Sequence, residues 1–313
     1  MPRLDESARG VYLITVTPFR DDGALDLEST DRLTDFYLDK GATGLTVLGV
    51  MGEAPKLTAG ESEDYVKRVL ARVGGKVPVV VGVSSPGFAA MGELARRVMD
   101  LGASGVMVGP GAAVRTDDQA VAYYEMAAAT LGDIPFCVQD HPLAYAGVQL
   151  PVPVLTRIFK TIPTAVMLKH EDFPGPGLAK LSAMRAASDR GEIRRISILA
   201  GNGGGLFLPE ELSRGADGAM TGFSYPEMMR DVVAAHAAGN VERAHDLFDA
   251  YLPLARYEQQ SALGLAVRKY MLHKRGAIAS AAIRKPGPKL SAADVADVDR
   301  LIARQDKRLK ELG

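Results

Sequence analysis

The sequence has little of what would indicate a secreted, membrane-bound or nucleic-acid-binding protein. It has one cysteine, Cys137, in 313 residues, so no intrachain disulfide can form and a reducing compartment is expected. The formal net charge of −1 provides no overall basic field for nucleic acid or an anionic membrane. No apolar run approaches the ~20 residues that span a bilayer, and the start, MPRLDESARG, lacks the apolar segment of a signal peptide. We therefore expect a soluble cytoplasmic protein without nucleic-acid or membrane partners.

Short apolar runs recur at intervals of about 30 residues, the length of one strand-plus-helix unit. Hydrophobic residues make up 47% of the chain, which fits a large buried core. Each run reads as a buried parallel strand. The predicted strands are 11–17, 44–49, 77–83, 105–109, 134–139, 164–169, 195–201 and 217–222.

Amphipathic helical patterns lie between these runs. They cover residues 27–41, 58–75, 87–102 and 116–132, and Thr58 with Glu61 has the spacing of a capping box. Strands that alternate with helices eight times predict a (β/α)8 TIM barrel. An open doubly wound sheet is the alternative, and it is disfavoured because no strand-turn-helix carries the GxGxxG motif.

Helical signals alone follow the eighth strand. Residues 228–260 read as two or three helices, and residues 290–312 as one more, opened by Ser291 as N-cap. No linker or low-complexity segment precedes them. We expect a barrel over residues 1–225 and a C-terminal helical extension, residues 226–313, packed on it.

Lys169 ends the sixth predicted strand and is the first candidate for catalysis. The carboxyl ends of barrel strands face the active-site mouth. A lysine that loses its hydration there favours the neutral amine, which attacks a ketone to form an imine. The alternative is a strand-end lysine that reaches solvent or pairs with Glu171 or Asp172.

Two glycine-containing turns are candidate binding elements. The stretch GVMGEAPKLT (49–58) follows strand two, and its backbone N–H groups can face an anion, although an ordinary strand-helix turn is the alternative. The stretch AGNGGG (200–205) follows strand seven and allows close approach of a ligand to the backbone. A phosphate site is the alternative there, because barrels often bind phosphate near strands seven and eight.

The motifs GVYLITVTPF, GVMGEAPKLT and VPVVVGVSS, the strand-six lysine and GADGAMTG occur in this order along the chain. Together they resemble the dihydrodipicolinate synthase/N-acetylneuraminate lyase family. The resemblance implies class I aldolase chemistry without a metal or other cofactor, in which Lys169 forms an imine with a pyruvate-like 2-oxo acid. It also implies that the turn after strand two holds the substrate carboxylate and that the protein is a homotetramer.

The chain departs from the family where proton transfer is concerned. The family pattern Gly-Thr-Thr-Gly-Glu after strand two has Val50 and Met51 in place of both threonines, so only backbone N–H groups remain for the carboxylate. The family's Tyr-Asn-x-Pro has Gln139 in place of the tyrosine, and glutamine is neither an acid nor a base near neutral pH. The family's paired tyrosines after strand four and its arginine after strand five have no counterpart in 109–114 and 143–147. We therefore do not expect the lysine-pathway activity.

Other side chains near the predicted mouth are candidates for acid–base catalysis. His141 and His170 are possible general bases with a suitable intrinsic pKa, and Tyr145 is a possible acid. Solvated rim residues are the alternative for both histidines. A metal site is a further alternative, which no His-x-x-x-His or HExxH spacing supports.

The sequence thus predicts a Schiff-base-forming lyase that acts on a 2-oxo acid, by aldol cleavage or condensation or by dehydration of a 2-oxo-3-deoxy sugar acid. In this hypothesis Lys169 is the nucleophile, Gln139 orients the substrate, and Gly201 and Asn202 line the pocket. Three alternatives stay open. They are true dihydrodipicolinate synthase activity, a metal-dependent barrel lyase and a catalytically silent ligand-binding member.

Overall fold

The computed structural model describes residues 2–173, 175–202, 205–261 and 263–313. Across these residues eight parallel strands close into a barrel, in which each strand pairs with the next and the last pairs with the first. The predicted (β/α)8 barrel is confirmed. The strands are β1 Gly10–Ile14, β2 Gly44–Val47, β3 Val79–Gly82, β4 Gly105–Val108, β5 Phe136–Asp140, β6 Ala165–His170, β7 Ser197–Ala200 and β8 Gly218–Ala219.

The strands bury both of their faces, as parallel strands covered by helices must. Alternate residues point into the barrel, where Ile14, Val80, Met107, Cys137 and Met167 belong to one buried cluster. The residues between them face the helices and belong to a second, larger cluster. The side chain two positions after Met167 therefore also faces the interior.

Helices alternate with the strands along the chain. Their bounds are α1 Leu27–Asp39, α2 Ala59–Val73, α3 Phe88–Asp100, α4 Asp117–Leu131, α5 Val152–Thr161, α6 Gly177–Asp189, α7 Leu208–Ser213 and α8 Pro226–Ala237. Helix α2 begins with the predicted capping box, because the Thr58 side chain accepts from the Glu61 N–H and the Glu61 side chain accepts from the Thr58 N–H.

Three more helices follow the eight strand–helix pairs: α9 Val241–Glu258, α10 Gly264–Lys274 and α11 Ala292–Leu312. Helix α9 packs against α8, α10 and α11, and Ser291 caps α11 as predicted. Helix α8 follows β8 directly and contacts β1, and the division of the chain at residue 225 stays a prediction. No helix in the described ranges is long and apolar enough to cross a membrane.

Candidate active site

Lys169 is the penultimate residue of β6 and is almost completely buried. Its side chain lies on the interior face of the barrel, two residues beyond Met167 of the interior cluster. It is thus at the carboxyl end of a strand, where barrel enzymes carry their catalytic residues.

Glu171 is the direct partner of this lysine. The Lys169 Nζ lies 2.7 Å from Glu171 Oε1, and both side chains are about nine-tenths buried or more. Of the three partners considered from the sequence, which were solvent, Glu171 and Asp172, the structure selects Glu171. Asp172 turns to the other side and pairs with Lys180 on α6 at 2.6 Å.

Glu171 has room beside Lys169 because Gly201 has no side chain. A Cβ at this position would lie 2.2 Å from Glu171 Cγ and 3.0 Å from Lys169 Cγ. Gly201 also donates its N–H to the carbonyl of His170 at 2.7 Å, which fixes β7 against β6. The sequence predicts that Gly201 lines the pocket, and in the structure its contacts are with the lysine and its carboxylate partner.

Gln139 and Tyr145 extend the contact into a chain of hydrogen bonds. Gln139 Nε2 donates to Glu171 Oε2 at 2.8 Å, and Tyr145 Oη donates to Gln139 Oε1 at 2.7 Å. Burial raises the pKa of Tyr145 to about 12, so its phenol keeps its proton. Glu171 therefore accepts at both oxygens, which is the arrangement of a carboxylate.

Gly109 directly follows β4, and its lack of a side chain leaves room for the Tyr145 ring. A Cβ on Gly109 would lie 2.0 Å from Tyr145 Cζ. The ring thus fills space against the backbone after strand four, the region where the family's paired tyrosines are missing from the sequence.

Val50 and Met51 begin a 3₁₀ turn, Val50–Gly52, directly after β2 and Gly49. Its hydrogen bonds run from the Gly52 and Glu53 N–H groups, so the N–H groups of Val50 and Met51 have no acceptor within the turn. Val50 is about half exposed, whereas Met51 packs against the interior cluster. The turn can therefore present two N–H groups at the mouth.

The two histidines are placed differently from Lys169. The His170 ring points away from the interior, with Nε2 2.8 Å from the Gly177 carbonyl and Nδ1 3.5 Å from Asp140 Oδ2. Burial alone would lower the pKa of His170. The close contact with Asp140 and the negative charge of Asp140 outweigh this effect, so the pKa is raised. His141 follows β5 at the start of a 3₁₀ turn, and its Nδ1 is buried without a hydrogen-bond partner among the described residues.

Asn202 lies just beyond Gly201 and borders a cavity of about 270 Å³, which Phe173, Phe207 and the start of α6 also line. Its Nδ2 donates to Glu211 Oε1 at 3.2 Å. Burial raises the pKa of Glu211 to about 7, although the charge of His170 and the bond from Asn202 oppose the shift. Gly203 and Gly204 of the predicted glycine-rich turn lie outside the described residues.

Lys180 and Lys269 are also buried, and each pairs with carboxylates other than Glu171. Lys180 pairs with Asp140 and Asp172 on the helix side of the sheet. Lys269 donates to Glu53 Oε1 at 2.6 Å and to the Ala282 carbonyl at 2.9 Å. Within the part of the chain that the structure describes, no group of three His, Cys, Asp or Glu side chains is arranged to hold a metal ion.

The sequence offers Glu171 and Asp172 as partners of Lys169 without distinguishing between them, and the contact is with Glu171. Its signal was present in the run Lys169-His170-Glu171-Asp172, but four adjacent ionisable residues do not show which of them turns inward. Strand five carries Gln139 where the family has a tyrosine, and the following loop brings Tyr145 into contact with Gln139. The sequence pattern did not show this contact.

A barrel with a buried lysine at the carboxyl end of a strand is an architecture able to perform class I aldolase-type chemistry. The sequence model of the dihydrodipicolinate synthetase family matches residues 7–305. The chain therefore belongs to this family, and it is a lyase, as the sequence predicted.

Three relatives show the range of activities near this chain. An L-2-keto-3-deoxyarabonate dehydratase from Azospirillum brasilense is 30% identical over 307 residues, which are 95% of this chain and 94% of that one. A 4-hydroxy-tetrahydrodipicolinate synthase from Kosmotoga olearia is 30% identical over 79% of this chain and 82% of its own. A crystal structure of dihydrodipicolinate synthase from Rhodopseudomonas palustris is 49% identical, with a TM-score of 0.94 over 97% of this chain and 100% of that one.

The shifted pKa of Glu211 predicts a pH dependence of stability. Folded Glu211 keeps its proton up to about pH 7, against 4.5 for the unshifted group. The folded state then binds more protons in this interval, so the free energy of unfolding falls as pH rises through it. The raised pKa of His170 acts in the same direction.

Glu211→Gln is expected to remove a fall on the order of 2–3 kcal/mol between about pH 5 and about pH 8. Urea unfolding across this pH range measures it. Glu125→Gln, on the exposed face of α4, is the control and should follow the wild type. Parallel curves for the wild type and Glu211→Gln would contradict the assignment.

Proposed function

We propose that this lyase dehydrates a 2-oxo-3-deoxy sugar acid through an imine on Lys169, with Glu171 as the general acid and base. The observation that carries the proposal is the 2.7 Å contact between the buried Lys169 Nζ and Glu171 Oε1. A carboxylate at this distance can take a proton from the ammonium and return it to a leaving oxygen. This chemistry requires no cofactor besides the imine on Lys169.

Imine formation uses only these two groups. Glu171 takes one proton from the Lys169 ammonium, and the neutral amine attacks the ketone carbon of the substrate. In the adduct one proton passes from the nitrogen to the oxygen, and the resulting hydroxyl leaves as water after it receives the second proton from Glu171. One hydrogen stays on the nitrogen of the iminium, so the three hydrogens of the ammonium are accounted for.

The iminium then withdraws electrons from the neighbouring carbon 3. Glu171 removes a proton from this carbon to form the enamine, and the enamine expels the hydroxyl of carbon 4. The same proton leaves with that hydroxyl as water, so the carboxylate is regenerated. Hydrolysis of the imine returns the lysine, and the net change is the loss of one water molecule.

The remaining site residues orient the reactants. The N–H groups of Val50 and Met51 bind the substrate carboxylate, and Gly201 keeps open the space in which Glu171 and Lys169 meet. Gln139 and Tyr145 orient Glu171 through their hydrogen bonds. The His170 ring faces α6, so we assign it no proton transfer, and we assign Asn202 to the distal part of the substrate.

Dehydration is favoured over lysine-pathway condensation by the groups present in the mouth. The threonines, tyrosines and arginine of the condensation pattern are replaced, whereas Glu171 adds a base beside the lysine. A relative that is a keto-deoxy sugar acid dehydratase aligns over 95% of this chain and supports this substrate class. An L-2-keto-3-deoxypentonate is therefore the first substrate to test.

We predict that pyruvate with borohydride labels the wild type at Lys169. Lys169→Arg should fold and show neither label nor activity, because a guanidinium stays protonated and forms no imine. Peptide mass spectrometry locates the adduct. Lys160→Arg, at an exposed position of α5, is the control and should keep both.

Labelling at another lysine, or none with any 2-oxo acid, would remove the basis of the imine mechanism. Loss of activity with a chelator together with resistance to borohydride would instead select a metal-dependent lyase. A Lys169 adduct without turnover of any sugar acid would select a catalytically silent ligand-binding member.

We also predict little or no condensation of pyruvate with aspartate semialdehyde. The family's tyrosine relay and arginine are absent, and Val50 and Met51 offer no hydroxyl. A coupled assay with authentic synthase as positive control measures the rate. A turnover in the usual enzyme range of ~1–10³ per second would overturn this interpretation of the substitutions.

The family resemblance further leads us to propose a homotetramer located in the cytoplasm. The fold itself does not require a tetramer, since a solved relative that is 26% identical is described as a monomeric dihydrodipicolinate synthase variant. Light scattering at micromolar concentration should give four times the mass of the 33.3 kDa chain. A monomer would contradict the proposal.

A further inference from the structure

Two neighbouring cations on α10 reach the carboxyl ends of the strands on both sides of β1. Arg268 Nη2 donates to the Gly222 carbonyl, beyond β8, at 2.5 Å. Lys269 Nζ donates to Glu53 Oε1, beyond β2, at 2.6 Å. Both cations are buried. Helix α10, which belongs to the C-terminal extension, therefore reaches the mouth of the barrel through buried contacts.

Glu53 ends the 3₁₀ turn that begins with Val50. It has a left-handed backbone, with φ 54° and ψ 29°, which costs about 1–2 kcal/mol for a residue with a Cβ. Its carboxylate is buried and accepts from Lys269, from Lys56 Nζ at 2.9 Å and from the Arg284 N–H at 3.1 Å. The ion pair therefore holds Glu53 in a conformation that the backbone alone disfavours.

The same turn is held from two other directions. Thr17 Oγ1 donates to the Gly52 carbonyl at 2.6 Å. Arg284 Nη1 donates to the Lys56 carbonyl at 2.9 Å, and its guanidinium pairs with Glu61 at the start of α2. None of these contacts uses the N–H group of Val50 or Met51.

Lys269 is the centre of these contacts because it joins α10, the chain after it and the turn. Its Nζ lies 4.5 Å from the centre of the Phe19 ring, and the Arg284 guanidinium carbon lies 4.4 Å from the same ring. Burial lowers the pKa of Lys269 to about 8, so it is charged at neutral pH and the pair with Glu53 is intact. Loss of the amine would leave Glu53 as a buried carboxylate without its shortest contact.

We propose that Lys269 is a positioning residue for the substrate carboxylate, so that the C-terminal extension takes part in substrate binding. The amine acts through Glu53 and does not touch the substrate. This inference rests on the proposed function, which assigns the carboxylate to the Val50 and Met51 N–H groups. Nothing in the sequence connects Lys269 with Glu53, because 216 positions separate them.

Lys269→Met tests the inference in the full-length protein, with pyruvate and borohydride as the probe. The half-saturating concentration of pyruvate should rise about tenfold or more, since two N–H donors lose their alignment. The labelling rate at saturating pyruvate should stay within about twofold of the wild type, because Lys169 and Glu171 are unchanged. Hydrogen exchange of a peptide that covers residues 48–57 should become faster.

Lys274→Met is the matched control. It removes the same type of side chain from the same helix, but Lys274 is half exposed and pairs with Asp299 of α11. Its half-saturating concentration should equal that of the wild type. If Lys269→Met does not fold, Glu53→Gln loosens the same contact with an isosteric side chain and should show the same rise.

The outcomes separate this inference from the proposed function. A labelled wild type with unchanged half-saturation in folded Lys269→Met, or in Glu53→Gln, overturns the positioning role and leaves the imine mechanism intact. An equal rise in Lys274→Met also overturns it, because the effect would then be a general loosening of α10. An unlabelled wild type overturns the proposed function, and the positioning role falls with it.

Discussion

The ion pair between Lys169 and Glu171 is the contact on which the site depends. A lysine at the end of a buried strand needs a partner, because an isolated charge is costly away from water. Glu171 lies 2.7 Å from its amine and finds room only because Gly201 has no side chain. Gln139 donates to the other carboxylate oxygen, and Tyr145 donates in turn to Gln139. The pair that makes the lysine tolerable in the fold also supplies the base that the proposed reaction requires.

A second buried pair, Lys269 with Glu53, acts at the opposite side of the mouth. It connects helix α10 to the turn after β2, whereas the first pair lies at the ends of β6 and β7. In the proposed mechanism one pair contains the reacting groups, and the other holds the turn assigned to the substrate carboxylate. The helical extension is therefore part of the architecture of the mouth.

The fold could be predicted from the sequence because its signals are local. Apolar runs, the Thr58–Glu61 box and the Ser291 cap each depend on residues a few positions apart, and each is found in the structure. Lys169 could be proposed as the nucleophile because a charge that ends an apolar run is visible in the sequence. The contacts of three other residues could not be predicted. The contact of Glu171 depends on the direction of a side chain after the strand, and that of Tyr145 on an absent Cβ at Gly109. The contacts of Lys269 depend on partners distant along the chain.

The central claim is that Lys169 forms an imine with a 2-oxo acid whose carboxylate lies on the turn after β2. A crystal structure of the wild type soaked with pyruvate tests it most directly. We expect continuous electron density between Lys169 Nζ and carbon 2 of pyruvate, with carboxylate oxygens about 2.7–3.2 Å from the backbone nitrogens of Val50 and Met51. Pyruvate bound without a covalent bond, or joined to another amine such as that of Lys269, would contradict it.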